Sequence, residues 1–352
     1  MQAPSDLLVE PSSREWYPSY ETAMAFCRVT IALAAEAGTK PEKEQRCLAQ
    51  LLARHLGDVC RGQAIKLVDL GTGDGQKMLL TFGALRAAGA RTIRFVPVDT
   101  NPYISRYAIL NILGAGKPAW SLEEAEQLFG PIAGDTLALG ATTIGLEALA
   151  QMAFAPLTDA ECTVEEIVTV PMSGVEIDFF QRLPDVVQMS KRLGQGLSLF
   201  CLLGNTFGNY PADQRDAFLA AMFAEIDAGD LFLLGIGLRP HAGPSWAEQV
   251  RLLEREYLPG EAFMRPGADH PESIYRLRFD PASHSMVHGF ERPDRSMQHM
   301  GYSHLFAADE TLAAIARKGF ELVAHETYPE GPTAAPRHLT ILARKPRKGT
   351  RS

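Results

Sequence analysis

The chain has 352 residues, of which 46% are hydrophobic, 22% charged and 8% aromatic, a composition typical of a globular protein and not of a disordered one. This length predicts roughly two domains. Lys and Arg number 34 against 42 Asp and Glu, and the formal net charge of −8 argues against a broad nucleic-acid-binding face. The one basic run, 344–351, lies at the C-terminus and is typical of a frayed tail.

Cysteine usage and hydropathy indicate the compartment. The five cysteines are an odd number without a C-x-x-C pair, which indicates neither a disulfide framework nor a zinc finger and suits a reducing cytoplasm. Residues 1–14 lack an apolar signal core, and no stretch approaches the roughly 18 apolar residues of a membrane helix. We therefore expect a soluble, cytoplasmic monomer or homodimer that binds neither nucleic acid nor membrane.

Hydrophobic periodicity predicts alternating helices and strands. The predicted elements, in chain order, are a helical region over 20–55, a strand over 65–70, a helix over 76–88, a strand over 92–98, a helix from Pro102, a strand over 197–203, a helix over 212–227, a strand over 230–238 and an edge hairpin of two strands over 320–328 and 338–344. Alternation of this kind predicts an α/β fold with a Rossmann-like, mainly parallel sheet.

Two stretches interrupt the alternation. Residues 113–168 have a helix-like, Gly-, Ala- and Leu-rich sequence, and we interpret them as an inserted helical segment. Residues 241–308 are polar, aromatic and irregular, and they contain six of the nine histidines. Such material commonly covers the ligand edge of a sheet, so we expect a second, smaller lobe there.

A glycine-rich turn follows the first predicted strand. In the segment 68–75 the sequence Val-Asp-Leu-Gly-Thr-Gly-Asp-Gly runs from a strand into a helix. Glycine is needed where a tight turn brings the backbone against a ligand. The G-x-G-x-G spacing differs from the dinucleotide form G-x-G-x-x-G and is typical of methyltransferases that use S-adenosylmethionine (SAM).

Two more polar segments lie at predicted strand ends. Asp99 ends the second strand, where an acidic side chain can hold a ribose diol. NAD enzymes use the same device, so Asp99 does not separate methyl donors from hydride carriers. The segment 204–209, Gly-Asn-Thr-Phe-Gly-Asn, follows a buried strand and is expected to place amide and hydroxyl groups at the ligand edge.

Taken together, these segments resemble the histidine-specific SAM-dependent methyltransferase family, known for methylating the histidine α-amino group in ergothioneine biosynthesis. The resemblance rests on the glycine turn with Gln76 and Lys77 after it, the strand ending in Asp99, the 204–209 box, the weaker match at 175–179, and Trp16 and Tyr17. It implies the following SAM-binding residues: Asp69, Gly71, Thr72, Gly73, Lys77, Asp99, Asp178, Gly204, Asn205 and Thr206. It also implies that Asn209 holds the head group of the acceptor.

The family resemblance suggests a division of the chain into four parts. We expect 1–60 to form the helical part of a substrate lobe, 61–240 the SAM-binding domain, 241–308 the rest of the lobe, and 309–347 a return to the sheet.

One departure from the family concerns the acceptor. The family's imidazole-recognition segment has a Glu-x-Ser pattern; the serine corresponds to Ser303 here, but Gly301 stands in place of the glutamate. A pocket without that carboxylate loses a charge-assisted hydrogen bond worth about 1.5–3 kcal/mol. We therefore expect an amino acid or related small amine other than histidine, as in natural-product biosynthesis.

The sequence leaves the proton acceptor open. Candidate catalytic residues are Asn209, Tyr17, Ser303 and His304, and candidate acceptor-binding residues are Tyr17, Asn209, Tyr302 and Ser303. Trp246 and Tyr257 could line the pocket or only pack the lobe. We expect no metal site, because His284 and His288 have no evident acidic or cysteine partner. An NAD-dependent oxidoreductase and a non-catalytic SAM-binding regulatory protein remain as alternatives.

Overall fold

The computed structural model describes residues 39–100, 178–240, 246–328 and 337–347, the short segments 167–169 and 175–176, and the single positions 23, 26, 27, 29, 30, 33, 104 and 108. The predicted insertion 113–168 lies outside the described residues except for its last two positions, as do Trp16 and Tyr17.

The strands of the described residues are β1 Ala64–Leu70, β2 Thr92–Asp99, β3 Ile167–Thr169, β4 Val175–Glu176, β5 Leu197–Leu202, β6 Leu231–Gly237, β7 Ile274–Asp280, β8 Ser285–Glu291, β9 Met297–His304, β10 Glu321–Tyr328 and β11 His338–Arg344. The helices are α1 Lys40–His55, α2 Gly57–Cys60, α3 Gln76–Ala87, α4 Leu183–Arg192, α5 Ala212–Glu225, α6 Trp246–Tyr257, α7 Glu261–Met264 and α8 Ala308–Arg317. None of these helices is long and apolar enough to cross a membrane.

The main sheet has the order β10-β11-β6-β5-β1-β2-β3, and β4 also pairs with β2. Strands β6, β5, β1, β2, β3 and β4 are parallel, whereas β11 runs antiparallel to both β6 and β10. This mainly parallel α/β sheet confirms the predicted Rossmann-like fold of class I methyltransferases. The predicted hairpin is present, but β11 lies inside the sheet and only β10 is at its edge.

Helices cover both faces of the main sheet. Along β1, Leu67 packs on one side and Val68 on the other, because successive side chains of a strand point to opposite faces. The Val68 side packs against α4, α5 and α8, and the Leu67 side packs against α1 and α3. The two-sided burial explains why these strands are continuous apolar runs in the sequence.

A separate three-stranded antiparallel sheet, β7-β8-β9, follows α6. We call the region 246–306 the small lobe. Leu253, Tyr257, Phe279 and Met286 form part of its core. A second, irregular lobe was expected over 241–308, but its described part contains a regular three-stranded sheet. Its strands carry many polar residues because one face of the sheet is open to solvent.

Helix α1 packs on the main sheet. Leu48, Leu51 and Leu52 are buried in the same cluster as Leu67 of β1. The helix begins at Lys40, where the Thr39 side chain caps it by accepting a hydrogen bond from the Glu42 backbone N–H. Its first turn contacts the small lobe through Lys40 and Lys43. The assignment of 1–60 to the substrate lobe stays a prediction.

Leu51 tests the packing of α1 on the sheet. Its side chain is fully buried, so Leu51→Ala is expected to lower the free energy of unfolding by about 2–5 kcal/mol. Leu258, which is 52% exposed, provides the control, and Leu258→Ala is expected to change stability by less than about 0.5 kcal/mol. The free energies of unfolding of both variants are measured with urea. Equal values for the two variants would contradict the packing of α1 on the sheet.

Candidate active site

A cavity opens at the carboxyl ends of β1, β2 and β5, between the main sheet and the small lobe. Ligands of open α/β sheets bind at this edge. Ten of the residues predicted to bind SAM or the acceptor line the cavity: Asp69, Gly71, Thr72, Gly73, Lys77, Asp99, Gly204, Thr206, Asn209 and Ser303. The fold thus brings together the glycine turn, the end of β2, the 204–209 box and one strand of the small lobe.

The glycine turn is shaped by close contacts. Gly71 has φ +72°, and a Cβ on it would lie 3.1 Å from Cγ2 of Thr206. The Gly71 N–H donates to the Val98 carbonyl at 2.8 Å, which ties the turn to β2. Only glycine satisfies both the backbone conformation and the close approach of Thr206.

Asp69 lies beneath this turn and is almost fully buried. Its carboxylate accepts a hydrogen bond from the Thr72 hydroxyl. Burial raises the pKa of Asp69 to about 7, although the Thr72 hydrogen bond and the charge of Lys77 oppose the rise. Asp69 therefore holds the turn in shape and lines the floor of the cavity.

The sheet order separates the two ends of the cavity. Asp99 is at the end of β2, whereas Asn209 follows β5, and β1 lies between these two strands. Strands in a sheet are about 4.8 Å apart, so the ends of β2 and β5 are separated by roughly 10 Å. This separation leaves room for an extended ligand between them.

The two asparagines of the 204–209 box have different roles. Asn205 is 1% exposed and adopts φ +62°. Its Oδ1 accepts from the Gly237 N–H at 2.9 Å, and its Nδ2 donates to the His304 carbonyl at 3.2 Å. Both polar groups of Asn205 thus join β6 to β9, and Asn205 is absent from the cavity lining, contrary to its expected role in SAM binding.

Asn209 does line the cavity. Its Oδ1 accepts a hydrogen bond from the Ser303 hydroxyl at 3.1 Å. Because the carbonyl oxygen is used in this way, the amide NH2 of Asn209 is the group oriented to donate to a ligand.

A buried charge cluster that the sequence analysis missed forms another wall. The Glu44 carboxylate lies 3.0 Å from Nζ of Lys77 and 3.5 Å from Nζ of Lys40. Burial alone would raise the pKa of Glu44, but Lys77 and Lys40 outweigh it and lower the pKa to about 2. Burial alone would lower the pKa of both lysines, but Tyr257 and Glu44 raise the pKa of Lys40, and Glu44 raises that of Lys77, so all three groups are ionised at neutral pH.

This cluster reaches the small lobe through Lys40. Nζ of Lys40 lies 4.5 Å from the ring centroid of Tyr257, a cation–π contact. In the same turn of α1, Lys43 forms an ion pair with Glu256. The available sequence signal was the Thr-Lys-Pro start of α1 followed by Glu44 four residues after Lys40.

Two residues predicted to bind or activate the acceptor point away from the cavity. Ser303 faces the cavity, so its neighbours in β9, Tyr302 and His304, are on the opposite side of the strand. Nδ1 of His304 lies 3.0 Å from the Ser283 carbonyl, and the His304 ring packs edge-on against Phe306. These positions do not support a direct role for either side chain.

Other sequence-predicted positions can be placed as well. The Asp178 carboxylate accepts from the backbone N–H groups of Phe180 and Gln181 at 3.1 and 3.3 Å, and it is the next residue, Phe179, that lines the cavity. Trp246 packs against Phe279 in the small lobe, whereas Tyr257 lines the cavity. Tyr17 lies outside the described residues.

Glu44→Gln tests the charge cluster. At pH 7 it leaves two partly buried ammonium groups without their carboxylate, and we expect a loss of about 3–5 kcal/mol in the free energy of unfolding. The carboxyl has a pKa of 4.5 in the unfolded chain and about 2 in the folded protein. Its contribution is therefore complete above about pH 5 and is lost as the pH falls from about 4.5 towards 2.

Urea unfolding of the wild type and Glu44→Gln at pH 7, 5, 4 and 3 measures this difference. The gap is expected to shrink below pH 4.5, while the exposed control Glu248→Gln shows a small gap at every pH. A gap that is independent of pH would contradict the charge cluster.

The two asparagines provide a second test. Asn205→Ala leaves the buried Gly237 N–H and His304 carbonyl unpaired, and we expect a loss of about 2–4 kcal/mol in unfolding free energy. Asn209→Ala is the matched control, because its amide faces the cavity, and its stability is expected to stay within about 1 kcal/mol of the wild type. Equal losses in both variants would refute the division of roles.

Comparisons with known proteins identify one matching family model. Residues 151–244 match the family model described as histidine-specific methyltransferase, SAM-dependent. The match covers roughly a quarter of the chain and includes β5, the 204–209 box and β6. A search of curated proteins finds no matching sequence.

Similar solved structures are distant in sequence. A DUF574-family protein from Streptomyces avermitilis is 14% identical, with a TM-score of 0.45 and coverage of 95% of this chain and 100% of that chain. The CcbJ methyltransferase from Streptomyces caelestis is 11% identical, with a TM-score of 0.40 and coverage of 93% and 99%. A SAM-dependent methyltransferase from Clostridium acetobutylicum is 10% identical, with a TM-score of 0.38 and coverage of 88% and 94%.

Similarity at this level says nothing about which acceptor this chain takes. The family match carries the assignment of chemistry and cofactor. The chain is a SAM-dependent methyltransferase, and its residues 151–244 carry the pattern of the histidine-specific family.

Proposed function

We propose that this protein transfers a methyl group from SAM to the amine nitrogen of an amino acid or a related small amine other than histidine. The observation that carries the proposal is the Asn209–Ser303 pair, which lies in the same cavity as the glycine turn and Asp99. A hydrogen-bonding head-group site and a nucleotide site are thus on facing sides of one cavity.

The residues at one end of the cavity fit SAM. The Asp99 carboxylate is positioned to accept hydrogen bonds from a ribose diol. Gly71 and Gly73 allow a ligand close to the backbone, and the Lys77 ammonium can pair with a carboxylate. When bound, SAM supplies an electrophilic methyl group on a sulfonium.

The other residues orient the acceptor. Asn209 donates its amide NH2 to the acceptor head group, and the Ser303 hydroxyl holds the Asn209 carbonyl so that this amide cannot rotate freely. Fixing the nitrogen near the methyl carbon replaces an encounter in solution by an oriented pair. The apolar side chains of Phe26, Val29 and Leu33 close part of the cavity against water.

We also propose that the protein is cytoplasmic, that it is a monomer or homodimer, and that its acceptor is a small molecule of natural-product biosynthesis. We further propose that the chain is divided into a SAM-binding domain and a substrate lobe. An oxidoreductase or a non-catalytic SAM-binding protein would add no methyl group to any amine.

Mass spectrometry of reactions with SAM and a panel of amino acids tests the proposal. We expect a mass increase of one or more methyl groups on at least one acceptor, with histidine a poor substrate. Asp99→Asn is expected to raise the KM for SAM by about tenfold, because a bidentate hydrogen bond is weakened. Asn209→Ala is expected to raise the KM for the acceptor more than the KM for SAM.

The exposed Asp213→Asn serves as the control and is expected to leave both constants unchanged. SAM binding without methylation of any amine would overturn the proposed reaction in favour of a regulatory role.

A further inference from the structure

The inner face of the small lobe contains one histidine with a defined orientation. His288 lies in the middle of β8, is 4% exposed and lines the cavity. Its Nδ1 lies 2.7 Å from the hydroxyl of Tyr275 on the adjacent strand β7. Because this contact occupies one ring nitrogen, Nε2 is the nitrogen left to hydrogen-bond a ligand.

On the other side of β8, the residue that pairs with His288 has no side chain. His288 pairs with Gly301 of β9, next to an irregularity in the register between His288 and Gly289. Gly301 has φ +153°, a conformation that favours glycine over residues with a side chain. This backbone conformation explains why a residue with a carboxylate side chain does not occupy position 301. Where His288 and Gly301 pair, the imidazole is therefore the polar side chain.

The surroundings of His288 favour an uncharged planar group. The Tyr257 ring lies 5.9 Å from the His288 ring, and Met264 and Pro259 also line the cavity. Burial, followed by the charge of Lys40, lowers the pKa of His288 to about 3, so the imidazole is neutral at physiological pH. The charge of Lys40 reaches His288 and would repel a cationic side chain placed there. The Glu44 and Glu256 carboxylates, which also line the cavity, are already paired with lysines.

We propose that His288 is a specificity-determining residue, whose Nε2 hydrogen-bonds the polar atom of an uncharged aromatic side chain on the acceptor, packed between Tyr257 and Met264. Tyr275 is a positioning residue that fixes the tautomer and orientation of His288. This inference rests on the proposed function, since it names the class of acceptor for the same cavity.

The test compares L-tyrosine, L-tryptophan, L-phenylalanine, L-histidine, L-lysine and L-arginine. Binding to the protein saturated with S-adenosylhomocysteine is measured by calorimetry, and methyl transfer from SAM by steady-state kinetics. The wild type is expected to prefer tyrosine or tryptophan over phenylalanine by about tenfold, the effect of one hydrogen bond of about 1.4 kcal/mol. Lysine and arginine are expected not to bind measurably.

Substitutions at His288 separate its role from a structural one. His288→Phe keeps a planar ring but removes the hydrogen bond. It is expected to abolish the tenfold preference by raising the KM for tyrosine and tryptophan, while kcat and KM for phenylalanine change less than threefold. His288→Gln, which retains an amide near the Nε2 position, is expected to keep most of the preference. His299→Gln, on an exposed part of β9, is the matched control with no effect.

Tyr275→Phe provides a second variant if His288→Phe does not fold, and a partial loss of the preference is expected. A folded His288→Phe or Tyr275→Phe with the wild-type preference would overturn the inference, as would tight binding of lysine or arginine to the wild type. Absence of methylation with every amine would instead refute the proposed function. In that case the calorimetric ratios still decide whether His288 selects the ligand.

Discussion

The cavity depends on one buried carboxylate. Glu44 lies between the ammonium groups of Lys77, at the start of α3, and Lys40, at the start of α1. The two ammonium groups are both positive and would repel each other. The negative charge of Glu44 between them allows both to stay protonated. Lys77 thereby remains beside Gly204 of the 204–209 box, and Lys40 remains against Tyr257 of the small lobe.

Neutral contacts complete the connection between the main sheet and the small lobe. Asn205 joins the end of β6 to the end of β9 by two hydrogen bonds, and the Phe306 N–H donates to the Gly237 carbonyl at 2.9 Å. These bonds fix β9 so that Ser303 meets Asn209. The geometry of one wall is thus set by hydrogen bonds to the backbone of β6 and β9, and the acceptor-binding side chains project from it.

The fold was largely predictable because its signals are local. The parallel strands β1, β2, β5 and β6 are buried on both faces and therefore appear as apolar runs, whose ends were predicted within about two residues. The glycine turn and the end of β2 were likewise visible, since a strand, a turn and an acid are adjacent in sequence. The Thr39 cap that begins α1 was a local signal too, but the predicted helix ran through it.

The walls of the site were less predictable because they join distant segments. Lys40 and Tyr257 are more than two hundred positions apart, and no periodicity reports that they meet. The irregularity at His288 and Gly289 decides which residues of β9 face the cavity, so Ser303 could not be separated from Tyr302 and His304 by sequence alone. Asn205 and Asn209 have the same side chain in one short box, and only the backbone at φ +62° turns the first away from the ligand.

Calorimetric titration with SAM, S-adenosylhomocysteine and NAD in parallel is the most direct measurement of what the cavity binds. Micromolar binding of SAM and S-adenosylhomocysteine with no heat from NAD is the result predicted by the glycine turn, Asp99 and Lys77 together. Binding of NAD alone would contradict the account, because Asp99 would then hold the ribose of a nicotinamide nucleotide.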